Sequence, residues 1–247
     1  MNNDTIQHLR ALKLTGMAHA LLRQQEQPML HLDMHFDERL QLLIEHEITH
    51  RSDRAIARRL KDARFKTDAA MEQLDGSAAR GINRAQIAEL AQGGWLNHHH
   101  NLLITGATGC GKTWLTCALG KQMCLLGYNV RYVRTSRLLD ALGVARGDGS
   151  YRKQLQHFAK MDWLILDDFG LEPLNQRERC DLLELMDDRH GQHSTAVLSQ
   201  LPVSAWHDVI GEPTIADAIL DRLIHNAYRI ELKGESLRKK RPDTIPM

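Results

Sequence analysis

Apolar positions recur at intervals of three and four through the first third of the chain, then give way to short apolar runs that alternate with helical stretches. Residues 1–94 read as helix almost throughout. Thr15 is placed to cap a helix carrying Met17, Leu21 and Leu22 that closes at Pro28; Asp37 is placed to cap a longer one with Leu40, Leu43, Ile44, Ile48, Ala55, Ile56 and Leu60. The pattern breaks around Asp75-Gly76-Ser77 and again at Gly93-Gly94. Beyond residue 100 the runs 101–105, 129–133, 163–166, 195–199 and 228–232 read as strands, each apolar enough to be buried on both faces. Helical spacing covers 112–126, 135–145 and 177–189 between them. The expected fold is therefore α/β: a parallel five-stranded sheet in three layers, residues 95–247, preceded by a small all-helical domain, residues 1–94.

Composition narrows the class without naming a function. Among 247 residues, 43% hydrophobic and 26% charged is a globular balance, which excludes collagen-like, mucin-like and wholly disordered chains. Four cysteines with no C-x-x-C pair supply neither a disulfide framework nor a zinc ligand set, and they fit a reducing compartment. His98-His99-His100 offers no partner carboxylate or cysteine and points alternately to opposite sides of a strand entrance, so no metal site is expected there. No apolar run approaches the roughly 20 residues that span a bilayer, and the first residues lack a signal-peptide core, so a cytoplasmic address and no membrane partner are expected.

The most specific chemistry lies at Gly106-Ala107-Thr108-Gly109-Cys110-Gly111-Lys112-Thr113, a full G-x-x-x-x-G-K-[ST] loop between a strand and a helix. Glycines let successive backbone N–H groups turn inward on a phosphate, and the helix N-terminus adds a favourable dipole. Lys112 is expected to reach β- and γ-phosphate oxygens, and the Thr113 hydroxyl to bind Mg²⁺. The run 163–166 leads into Asp167-Asp168 in the form of a Walker B strand, with Asp167 near the metal and Asp168 placed to polarise the attacking water. Asp168-Phe169-Gly170 spells a protein-kinase triplet, but no H-R-D catalytic loop precedes it. The same residues satisfy D-x-x-G, yet no N-K-x-D guanine motif follows, so ATP is the expected nucleotide.

Four further residues are candidates. Ser199 and Gln200 end a strand that a central place in the sheet would bring to the γ-phosphate, although polar strand ends are also ordinary turn formers. Arg222, at the edge of an apolar segment, and Arg238, after the last strand, are candidates for stabilising transition-state charge; a surface ion pair is the plainer reading of a lone arginine.

These elements, in this order, resemble the IstB-like transposition helper ATPases of bacterial insertion sequences, relatives of DnaC-type helicase loaders in the AAA+ class. The likeness runs through Phe36-Asp37-Glu38-Arg39-Leu40, Arg58 through Phe65, Asn101 through Thr113, Leu164 through Gly170, Ser199-Gln200-Leu201-Pro202, Trp206-His207, Asp217 through Leu223, and Gly234 through Arg238. It implies an AAA+ ATPase that assembles as an ATP-dependent homo-oligomer on double-stranded DNA and presents target DNA to a transposase encoded by the same element. On this resemblance Ser199-Gln200 matches the sensor 1 segment, Arg222 the finger that completes a neighbouring subunit's site, and Arg238 sensor 2. AAA+ proteins usually carry Glu after the Walker B Asp; here the residue is Asp168, one methylene shorter.

Charge then bears on the partner. The total is +1, but residues 1–50 hold 4 basic and 7 acidic groups, residues 51–66 hold 7 and 2, and residues 67–94 hold 2 and 4, which gives net charges of −3, +5 and −2. The +5 block (Arg51, Arg54, Arg58, Arg59, Lys61, Arg64, Lys66) fits phosphate contact; it also fits a solvated helix face. Repeated along an oligomer, weak contacts of this kind multiply by avidity. No side chains suited to reading base edges interleave with it, so little sequence preference is expected. Arg146, Arg152 and Lys153 form a second candidate DNA surface. Two rivals share the phosphate loop: a helicase loader, which differs in its partner, and a small-molecule P-loop kinase, which would need no DNA.

Overall fold

The computed structural model describes residues 2–74 and 81–234. The chain divides into two compact units, Met1–Arg58 and Arg59–Met247. The first holds α1 (Asn2–Ala11), α2 (Thr15–Glu26) and most of α3 (Phe36–Ala63). Ile6, Ala18 and Ala20 are buried between them, and the Met17 N–H donates to the Glu47 carboxylate at 3.0 Å. The caps differ from expectation. Thr15 is the first helical residue of α2 and makes no side-chain cap. At α3 it is not Asp37 but Glu38 that reaches back, accepting from the His35 N–H at 2.8 Å, because a carboxylate one turn into the helix has the length to satisfy a donor ahead of the first turn.

The second unit is built on five parallel strands: β1 (Asn101–Gly106), β2 (Val130–Arg134), β3 (Trp163–Phe169), β4 (Ser194–Ser199) and β5 (Ala227–Leu232). Their spatial order is β2-β3-β4-β1-β5. Alternate residues of each strand face opposite sides, and the two cores follow that period. Leu102, Ile104, Ile165, Ala196, Leu198, Ile230 and Leu232 point to one face; Leu103, Leu164, Leu166 and Val197 point to the other. On the first face lie α4 (Arg84–Ala91), α5 (Gly94–Asn97) and α6 (Lys112–Leu125). On the second lie α7 (Thr135–Gly147), α8 (Tyr151–Ala159), α9 (Gln176–Arg189), α10 (Trp206–Ile210) and α11 (Pro213–Ile224). All five expected strands and the three expected helices are present within a residue or two of their expected ends, except that β3 runs three residues further, through Asp167 and Asp168 to Phe169; α8, α10 and α11 are additional.

The packed units part earlier than residue 94. Ala63, Ala69, Ile82, Ile87 and Leu90 belong to the same core as β1 and α6. A Cβ at Gly120 of α6 would lie 2.5 Å from the Phe65 ring, so that ring rests against bare helix backbone. Nearby, the Lys121 ammonium pairs with Asp68 at 2.8 Å. Helical periodicity does not report which sheet face a helix will cover, and that choice places residues 59–74 and 81–94 with the sheet. Among the described residues no helix is long and apolar enough to cross a membrane.

Candidate nucleotide site

The phosphate loop leaves the carboxyl end of β1 at Gly106 and enters α6 at Lys112. Gly106 has φ +145°, and a Cβ there would meet the Leu232 carbonyl oxygen of β5 at 2.3 Å, so no other residue fits. Gly111 precedes α6 in the left-handed region at φ 102°. The Lys112 ammonium donates to the Gly106 carbonyl at 2.6 Å and the Ala107 carbonyl at 3.0 Å. Beside the loop, a cavity of about 450 Å³ is lined by Thr105, Gly106, Ala107, Gln200, Arg229 and Glu231, among others, a size that accepts a small molecule.

Asp167 is the hub of this end of the sheet. It is buried, and both of its carboxylate oxygens are engaged. Oδ1 accepts the Asp168 N–H at 2.8 Å. Oδ2 accepts the Thr113 hydroxyl at 2.8 Å and the Tyr132 hydroxyl at 2.5 Å. The Thr135 hydroxyl donates to the Asp167 main-chain oxygen at 3.1 Å. Burial, and then the bond to Asp167, push the Tyr132 phenol far above its ordinary range, so it is a fixed donor. Asp168 adopts left-handed backbone at φ 58°, uncommon for a residue with a side chain, and its carboxylate meets the Arg134 guanidinium at 3.3 Å. A hydroxyl and a carboxylate side by side are hard oxygen donors suited to Mg²⁺.

The remaining candidates divide. Gln200 joins the site, its amide oxygen accepting the Thr108 hydroxyl at 2.6 Å. Ser199 is fully buried, and its hydroxyl donates to the Phe169 carbonyl at 2.7 Å while accepting the Leu201 N–H at 3.1 Å; it ties β4 to β3. Arg222 is at the other end of the sheet. It ion-pairs with Asp187 of α9, donates to the Ala218 carbonyl at 2.6 Å, and lines a cavity with Asn101, Arg189 and His193. Arg238 lies outside the described residues. Arg51 pairs with Glu47 at 2.7 Å; Arg54, Arg58, Lys61, Arg64 and Lys66 are exposed, and Arg59 is half-buried. Arg146 is engaged by the buried Asp181 and lies 3.7 Å over the Tyr151 ring, whereas Arg152 and Lys153 are exposed.

Tyr132, Arg134 and Thr135 carry no motif that marks them in the sequence. Their one signal is position, at the end of a strand and the start of the next helix. What makes them matter is the register that sets Arg134 beside Asp167.

A phosphate loop between β1 and α6, an acid pair ending β3 and a parallel sheet in this order give the chain the fold of an AAA+ P-loop domain. Solved structures agree at the level of fold. AMPPCP-bound DnaA from Aquifex aeolicus matches with a TM-score of 0.58 at 17% identity, over 70% of this chain and 53% of that one. The DnaC helicase loader matches with a TM-score of 0.55 at 20% identity, over 71% and 99%. The family described as IstB-like ATP binding protein matches residues 7–244, and the chain belongs to it. A Sinorhizobium fredii (strain NBRC 101917 / NGR234) relative carrying the name insertion sequence ATP-binding protein y4pL is 48% identical over 240 residues, 96% of each chain.

Proposed function

We propose that this insertion-sequence protein hydrolyses ATP with Mg²⁺, assembles through ATP into a homo-oligomer on double-stranded DNA with little sequence preference, and delivers that DNA to the transposase of the same element, in the cytoplasm. The observation that carries the reading is the division of the charged groups between the two ends of the sheet. Lys112, Thr113, Asp167 and Asp168 are at the carboxyl end. Arg222 is at the amino end, where its main-chain oxygen accepts from Asn101, the first residue of β1, at 2.9 Å. Six residues of strand separate those ends by roughly 18 Å, so Arg222 serves a neighbouring subunit's site rather than its own.

Bound Mg²⁺ supplies positive charge that neutralises phosphate oxygens. Thr113 and Asp167 would hold it, and Tyr132 with the Asp168 amide keeps the Asp167 carboxylate from rotating. Lys112 exchanges the Gly106 and Ala107 carbonyls for phosphate oxygens. Asp168, steadied by Arg134, accepts the proton of the attacking water. Arg222 leaves Asp187 to meet the phosphate across the subunit boundary, a contribution worth about 10³-fold or more in turnover. Sensor roles for Gln200, Ser199 and Arg238 belong to the same reading, as do the DNA contacts of the exposed cations.

The test is complementation. Lys112→Ala loses nucleotide binding and Arg222→Ala loses hydrolysis, but an equimolar mixture on duplex DNA regains turnover, because an intact loop in one subunit then faces an intact arginine in the next. A mixture as inactive as its parts, or an Arg222→Ala protein with unchanged ATPase activity, overturns the trans assignment. Recovery of a replicative helicase instead of the transposase in co-purification would move the chain to the loader class.

A further inference from the structure

Two arginines and a histidine remote in sequence lie near one another at the β2 edge of the sheet, the edge opposite β5. Arg131, within β2, is half-buried. Its Nη1 donates to the Asp62 main-chain oxygen at 2.8 Å, in the last turn of α3. Its Nε is buried without a hydrogen-bond partner among the described residues. Arg64, one residue beyond α3 and exposed, takes left-handed backbone at φ 53°. Burial and the nearby Arg64 charge both hold the Arg131 guanidinium below its ordinary range, against an opposing contribution from Asp62. His157 of α8 feels the same group: burial first, then Arg131 and Arg64, lower its pKa, and Asp62 again opposes them.

Each helix extends the patch. Lys61 lies one turn before Arg64 on α3. Lys153 and Lys160 lie four before and three after His157, so all three share a side of α8 and its C-cap. All are exposed. A plain structural role for Arg131, capping the last carbonyls of α3, accounts for its bond to Asp62. It does not account for Arg64 beside it, because that charge works against a second, half-buried cation. Like charges gathered around a single acid become favourable when an anion joins them.

We propose that Arg64, Arg131 and His157, flanked by Lys61, Lys153 and Lys160, form one composite seat for the phosphate backbone of duplex DNA. The proposal rests on the DNA-binding reading above and sharpens it. The two basic segments near residues 64 and 153 become a single surface, and that surface belongs to the unit that binds ATP. It touches phosphates, so it positions the duplex without reading sequence.

The experiment measures binding of the full chain, with ATP and Mg²⁺, to a mixed-sequence duplex of about 40 base pairs by fluorescence anisotropy between about 50 and 200 mM KCl. The Arg64→Ala/Lys153→Ala double variant is expected to bind about tenfold or more weakly at low salt, with a salt slope shallower by about 1 for each phosphate that is no longer neutralised. Arg131→Gln keeps a donor for the Asp62 carbonyl while removing the charge, and it is expected to weaken binding with unchanged thermal melting. Arg10→Ala, an exposed cation of α1 outside both the patch and the nucleotide site, is expected to bind like wild type. If both patch variants retain wild-type affinity and slope, or if Arg10→Ala loses as much as they do, the seat is overturned while DNA binding stands. If the wild-type chain itself does not bind duplex, the DNA reading falls and the seat with it.

Discussion

The two ends of the sheet are both polar, yet they use polar groups differently. At the amino end two buried side chains, Asn101 and Arg189, are committed to architecture. Asn101 donates to the Arg222 and Leu223 carbonyls at 2.9 and 3.2 Å and accepts the Thr195 N–H at 2.8 Å. Arg189, fully buried at the end of α9, donates to the Phe158, Ala159 and Met161 carbonyls at 2.8–3.0 Å, to the Ser194 carbonyl, and to the Thr195 hydroxyl at 2.9 Å. At the carboxyl end the partners are exchangeable. Lys112 rests on its own loop's carbonyls, Thr108 on Gln200, and Thr113 on Asp167, each an interaction that a phosphate or a cation can take over. A buried group held by several partners at once, as Arg189 is, holds a fold, whereas a side chain held by one or two local partners leaves room for a ligand. Arg222 lies at the architectural end, where its side chain pairs with Asp187 and donates to the Ala218 carbonyl at 2.6 Å.

The contrast can be broken most severely at Arg189. Arg189→Leu leaves several buried carbonyls unsatisfied and is expected to cost about 3 kcal/mol or more of stability, read from denaturant unfolding; a loss below about 1 kcal/mol would mean the amino end is not held this way. Tyr132→Phe at the other end is expected to lower turnover about tenfold, the effect of one charge-assisted hydrogen bond, with nucleotide affinity in the absence of Mg²⁺ unchanged. An equal fall in Mg²⁺-free affinity would instead assign Tyr132 to packing. The smallest effect belongs to the helix that joins the two ends. Asn175 accepts the Arg177 and Glu178 N–H groups in a full capping box at the start of α9, so Asn175→Ala is expected to cost about 1 kcal/mol of stability and to leave ATP binding intact.

Much of this is legible in the residues alone. The loop 106–113 is readable because a phosphate cradle needs local backbone geometry, and local geometry is written in consecutive residues. The central strands β1, β3 and β4 are readable because burial on both faces demands nearly uninterrupted runs; the edge strands β2 and β5 are not buried on both faces as expected, and Arg131, Arg229 and Glu231 interrupt them. The helix caps are less so: Glu38 outcompetes Asp37 through side-chain reach, which composition does not weigh. The α8, α10 and α11 segments lack a signal because their apolar residues, such as Phe158, Trp206 and Ile219, are sparse and answer to the sheet face they cover. Arg146 reads as a solvated cation until the fold sets Asp181, distant in sequence, beside it.

The sequence by itself determined that the chain carries a P-loop and an acid pair, that its later part is a parallel α/β sheet, and that its charge is concentrated in one basic stretch, since each of these is a property of neighbours along the chain. Tertiary structure alone decided that Tyr132 and Arg134 steady the two acids, that Arg222 stands at the far end of the sheet from its own loop, and that Arg64, Arg131 and His157 share one patch. Those facts depend on strand register and helix docking, in which residues far apart in sequence are paired by the summed burial of two cores rather than by any local pattern.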